Sequence, residues 1–118
     1  MLTRRLFTTA VAALLILSPF VRAADSGASP GSQAGEALFV NNCSICHQVS
    51  GTGVPGTYPP LAKSDWLAAN SAGAIRAVVS GLKDEITVYG RVYAVQMPAI
   101  VLDDAQAADV LTYVLNGW

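Results

Sequence analysis

Apolar residues fall at helical spacing in three stretches of the chain, and a fourth is rich in β-formers. In residues 33–42, Gly35, Leu38, Phe39 and Asn42 share one face of a helix that Ser32 is placed to cap. A short helix is expected from Ser64, carrying Trp66 and Leu67. A longer one is expected from Ser71, with Ile75, Val78, Val79 and Leu82 as its apolar stripe. Glu85 to Val95, EITVYGRVYAV, is rich in β-formers around Gly90 and reads as a small hairpin. The last stretch is the most regular. Asp103 with Gln106 three residues on makes an approximate capping box, Ala107, Val110, Leu111, Val114 and Leu115 form a stripe, and Asn116-Gly117 stops it. From residue 43 to 62 the helical pattern disappears, and GTGVPGTYPP holds too much Gly and Pro for a helix interior. The pattern predicts a mainly α domain with long loops.

The N-terminus carries a different pattern. Arg4 and Arg5 precede a mostly apolar run, Leu6 to Leu17. Ser18-Pro19 breaks the run, and Val21-Arg22-Ala23 offers small residues for cleavage. Residues 1–23 therefore read as a secretory signal peptide. As an uncleaved anchor the run is short of the roughly 20 apolar residues a spanning helix needs. Residues 24–32, ADSGASPGS, read as a flexible leader, and residues 33–118 as one domain.

Removing residues 1–23 changes the charge. Four Lys and Arg then stand against eight Asp and Glu, a formal balance of −4. An acidic chain with scattered bases has no nucleic-acid footprint. No second apolar run spans a bilayer. So small a domain buries a modest core, and such domains commonly lean on a disulfide, metal or cofactor.

Both cysteines and the single histidine sit together in CSICH, as Cys43, Cys46 and His47. A structural disulfide suits an exported chain but leaves His47 unexplained. A thioredoxin-like pair expects a strand before the motif, where a helix is predicted here. Structural zinc needs four ligands, and three are present. Covalent c-type haem uses all three residues: two thiols for the two vinyl groups, and the imidazole for the iron. For the sixth iron position, no second histidine exists, and beyond the signal the one methionine is Met97, in VQMPAI. A thioether is a soft ligand suited to haem iron, and Pro98 stiffens the loop presenting it. A lysine or an open site stands as the alternative, and a gap-filling core methionine as the bland one.

At this point the chain resembles a class I, monohaem cytochrome c over about residues 33–118. GEALFVNNCSICH resembles that family's first helix, with Gly35, Phe39 and Cys43 at four-residue steps; the resemblance implies packing across the last helix at Val110 and Tyr113. YPPLA resembles the family's Pro-x-Leu. It implies that the Pro59 carbonyl takes the His47 Nδ1–H and that Leu61 contacts the haem, with adjacent Pro60 as the other choice for the bond. The stretch from PPLAKSDWL to the final Trp is similar to small periplasmic cytochrome c subunits and domains of bacterial dehydrogenase or nitrite reductase systems. The fold so implied is mainly α: three to five helices wrapped around one covalent haem, with long loops and a small hairpin. Trp66, Tyr93 and Arg91 are candidates to line the haem or hold its propionates.

The implied function is periplasmic one-electron transfer with His47/Met97 ligation, serving redox proteins of dehydrogenase, nitrite reductase or oxidase type. It is a carrier, not an enzyme by itself. The rival is a haem sensor or peroxidase-like protein with a labile sixth site, which usually needs a distal His or Arg. A non-haem disulfide module is the third reading. Residues 43–62 and 92–102 hold no charged residue, which makes Val54, Pro55, Pro98, Ala99 and Ile100 candidates for an apolar contact ring at the haem edge.

Overall fold

The computed structural model describes residues 30–118. The expected signal peptide, and the leader as far as residue 29, lie outside the described residues. Helix α1 spans Pro30–Asn42 and starts three residues before Gln33, where the apolar pattern placed it. Proline suits a first helical position, because its fixed φ is helical and the amide it lacks would have no partner there. Gly35 and Phe39 face inward, and Phe39 is fully buried.

The region after Asn42 departs from the expected loop. Ser44–His47 forms a one-turn helix, α2, with Cys43 at its N-cap. Four residues are too few for a periodic signal. The loop proper runs from Gln48 to Ser64. It is followed by α3, Asp65–Ala69, with Ser64 as cap, and by α4, Ser71–Ser80. The cap of α4 is Asn70 and not Ser71: the Gly73 amide donates to Asn70 Oδ1 at 3.0 Å.

The inward face of α4 also differs from the stripe read in the sequence. Gly73, Ala74 and Ala77 are buried and Val78 is half-buried, whereas Ile75 and Val79 are exposed. Periodicity located the helix but not its rotation. Strands β1, Ile86–Val88, and β2, Arg91–Tyr93, pair antiparallel with Ile86 opposite Tyr93 and Val88 opposite Arg91. Their two-residue turn is Tyr89-Gly90. Helix α5, Asp104–Asn116, has the full capping box on Asp103 and Gln106. Ala107, Val110 and Val114 are buried and Leu111 half-buried, but Leu115 is exposed.

The largest interface joins α1 to α5. A Cβ at Gly35 would overlap the Asp109 carbonyl, so only glycine lets the two backbones approach this closely. Below that crossing, Phe39 meets the rings of Tyr113 and Trp118 at centroid distances of 5.5 and 5.2 Å, and those two rings meet at 5.1 Å. Tilted and edge-on aromatic pairs add about 0.5–1.5 kcal/mol each beyond area burial. Among the described residues, five helices and a small antiparallel hairpin thus make up the mainly α fold expected of a cytochrome c. No helix among the described residues is long and apolar enough to cross a membrane.

Candidate functional site

The helical turn α2 explains the spacing of CSICH. Positions i, i+3 and i+4 of a helix lie on one side, so Cys43, Cys46 and His47 face the same way. The turn is closed by the His47 amide donating to the Cys43 carbonyl at 2.9 Å and tied to α1 by the Cys43 amide donating to Phe39 O at 2.8 Å. Both cysteines are free and half-buried. Burial, and then the neighbouring Cys46, push the Cys43 thiol pKa up.

His47 is buried, and its Nδ1 lies 2.9 Å from the Pro59 carbonyl oxygen. With Nδ1–H donating there, Nε2 keeps the free lone pair. Burial holds the His47 pKa below its usual value, against a smaller upward pull from the bond to Pro59. The ring is thereby kept neutral, the form that binds a metal. The Pro59 carbonyl is presented by a loop crossed by its own bonds. Val54 and Tyr58 exchange amide bonds at 2.8 Å, Gly53 N–H donates to His47 O at 2.9 Å, and Leu61 N–H donates to Gly51 O at 2.7 Å.

Met97 is presented by a separate segment of the chain, bridged to Leu82. Its backbone exchanges two bonds with Leu82, each 2.9 Å, and Ile100 N–H donates to Val78 O at 2.9 Å. Gly81 lies against this bridge with φ +79°. A Cβ there would come within 2.7 Å of Met97 O and 2.9 Å of Ala99 N, so glycine is needed both for the turn and for the approach.

Cys43, Cys46, His47, Pro59, Leu61 and Met97 all line one cavity. Its space free of protein atoms, the open mouth included, is about 1270 Å3. Ala74, Ala77 and Val78 of α4 and Val110 and Val114 of α5 form much of the rest of its wall. These short side chains explain the unexpected rotation of α4: alanines leave room where Ile75 and Val79 would fill it. Trp66 and Tyr93 also line the cavity, whereas Arg91 is exposed on β2 and does not. Among the described residues, Asp84 is the one Asp or Glu in the lining, and no Lys or Arg is there.

Sequence reading missed Tyr58, Asp84, Ile86 and Val88 as wall residues. For Ile86 and Val88 a signal existed, since alternate strand positions share a face. For Asp84 there was none.

The donor set tests what the cavity can hold. Two thiols on one helical turn, a neutral imidazole with Nε2 free and a thioether all border one largely apolar space, which suits a flat macrocycle with a central metal. Among the described residues no three His, Cys, Asp or Glu side chains gather around a point, as a bare ion would need.

The Cytochrome c family matches residues 32–118. The cytochrome c subunit of the quinone alcohol dehydrogenase of Gluconobacter oxydans is 32% identical over 87 residues, which is 72% of this chain and 18% of that subunit. A cytochrome c-552 of Thermus thermophilus is 34% identical over 92 residues, 74% of this chain and 62% of the relative. A further Thermus thermophilus cytochrome c-552 is 34% identical over 91 residues, 73% of this chain and 70% of the relative. The chain thus spans less than two thirds of the first two relatives.

Proposed function

This chain belongs to the cytochrome c family as a monohaem class I member with one covalently attached haem c, and from that premise we propose that it is a periplasmic one-electron carrier with His47 and Met97 as the axial ligands. When bound, the haem supplies a reversible ferrous/ferric couple. The chain's residues do the rest. Cys43 and Cys46 offer their sulfurs to the two vinyl groups. His47, its Nδ1 held by Pro59, offers Nε2 in a fixed orientation, and a hydrogen bond of this kind raises a ligand's basicity. Met97 offers its sulfur from a backbone pinned to Leu82. If His47 and Met97 both held the iron, they would leave no open position for a substrate, as suits a carrier that is not an enzyme by itself.

The observation that carries this reading is that His47 and Met97, fifty residues apart in sequence, line the same cavity as both cysteines. A thioether favours the reduced state and raises the potential, and an apolar wall that excludes water acts in the same direction. Residues 1–23 are proposed to direct export and residues 33–118 to form the carrier domain. The partners are proposed to be redox proteins of dehydrogenase, nitrite reductase or oxidase type. They meet an uncharged rim in which Val54, Pro55, Pro98 and Ala99 are exposed and Ile100 is half-buried. Ile45, 85% exposed, and Val101, 99% exposed, enlarge the apolar surface of these two segments.

The test is spectroscopic. The matured protein is expected to keep its haem through denaturing electrophoresis, to show a weak sulfur-to-iron band in the far red when oxidised, and to bind carbon monoxide slowly when reduced. Haem lost to acid–acetone extraction would overturn the attachment. Rapid carbon monoxide binding would instead favour the sensor-like alternative with a labile sixth site.

A further inference from the structure

Two of the elements that wall the cavity, α3 and the β1–β2 hairpin, meet at one side chain. Asp65 Oδ1 accepts the Trp66 amide at 2.9 Å, and both carboxylate oxygens lie 3.1 Å from the amide nitrogen of Tyr89 in the hairpin turn. The Tyr89 hydroxyl donates to the Lys63 carbonyl, just ahead of α3. The turn needs that support. Tyr89 and Gly90 both have positive φ, +48° and +74°, as a two-residue hairpin turn of type I′ requires. Its first position favours Asn, Asp or Gly, and a tyrosine there is strained. Three-residue strands form a ribbon that is marginal alone. Yet this ribbon supplies Ile86, Val88 and Tyr93 to the cavity wall, beside Trp66 of α3.

We propose that Asp65 is a positioning residue for the haem: by bonding the Tyr89 amide it holds the hairpin against α3 and keeps that side of the cavity closed to water. The proposal rests on the haem-carrier reading. The bond is charge-assisted, a type stronger than a neutral hydrogen bond, and the exposure of Asp65 weakens it. It acts on the potential through solvent access, one of the properties that set haem potentials.

The test compares haem-loaded wild type, Asp65→Asn and Asp65→Ala. Both variants lose the carboxylate charge, but only asparagine keeps an acceptor oxygen. The difference between them therefore reports the bond and not the charge. The midpoint potential of Asp65→Ala is expected to lie below that of Asp65→Asn, and its amides in residues 86–93 to exchange about tenfold faster. Equal potentials in the two variants would overturn the proposal, even if exchange differs, because Asp65 would then be only a structural staple. Should Asp65→Ala not fold, exchange in the wild type decides: the Tyr89 amide is expected to be protected as well as the ladder amides, and free exchange would overturn the proposal. A chain that carries no covalent haem fails the earlier reading instead, and a denaturing gel distinguishes the two failures.

Discussion

The histidine side and the methionine side of the cavity are built by opposite means. From Cys43 to Leu61 the chain bonds mainly to itself. The α2 turn, the Val54–Tyr58 bridge and the bonds from Gly53 to His47 and from Leu61 to Gly51 all close within twenty residues. The methionine loop is held from outside. Met97 depends on Leu82, and Ile100 on Val78, at or just beyond the end of α4. A locally closed segment keeps its shape when its surroundings loosen. A segment hung on a separate element does not, because its bonds to Leu82 and Val78 exist only while α4 and the residues just after it are docked. The methionine side should therefore be the weaker half, and Met97, the proposed ligand, the first to leave.

The largest effect should come from breaking the stronger half chemically. Cys43→Ala or Cys46→Ala is expected to reduce recovered holoprotein at least about tenfold, because a group that binds only the folded state stabilises it by mass action. Haem-stained denaturing gels, normalised to total protein, check this; undiminished staining would show that the cysteine sulfurs do not hold the haem. Next, Met97→Ala should abolish the far-red band, lower the potential and admit carbon monoxide readily while the haem stays attached. A band that survives the substitution would place the sixth ligand elsewhere.

Gly81→Ala tests the bridge itself. Its Cβ meets Met97 O at 2.7 Å from a backbone at φ +79°. Strain of this kind costs about 1–3 kcal/mol. The far-red band should then fade at lower denaturant than in the wild type, ahead of any change in aromatic near-ultraviolet circular dichroism from the α1–α5 crossing. Simultaneous loss of both signals would mean that the two sides do not differ in stability. The smallest expected effect concerns docking. Because residues 43–62 and 92–102 are uncharged, the second-order rate with a partner should change by less than about tenfold between roughly 10 and 500 mM salt, small beside the ~10³ that charge steering can give. A steeper fall would assign recognition to charges outside this rim.

How legible each half was follows from the same contrast. CSICH could be read because it combines rare residues at a short, chemically meaningful spacing, and the place of Met97 in the same cavity because it is the one methionine beyond the expected signal. The capping box of α5 was read from two residues alone. The rotation of α4 was not legible, since Ile75 and Val79 fit a helical stripe as well as Ala74 and Ala77 do. What decides between them is the volume of a group that is not part of the polypeptide. The α2 turn escaped because one turn carries no periodicity. The bond from Asp65 to Tyr89 escaped because it joins residues 24 apart in sequence, and nothing local marks either as a partner of the other.

The pairing of α1 with α5 has a consequence for the order of events in folding. About 60 residues separate the two helices, and they enclose every other described element. Closing a chain of that length carries a length-dependent entropy cost of roughly 3–4 kcal/mol, which must be met before the contacts repay it. In the export proposed above, Cys43 and Cys46 emerge long before α5 does. In that interval their thiols lie on an open chain, with no far wall to bar approach. The fold thus provides a time window in which a bulky cofactor can be attached, and it closes that window when its last helix docks.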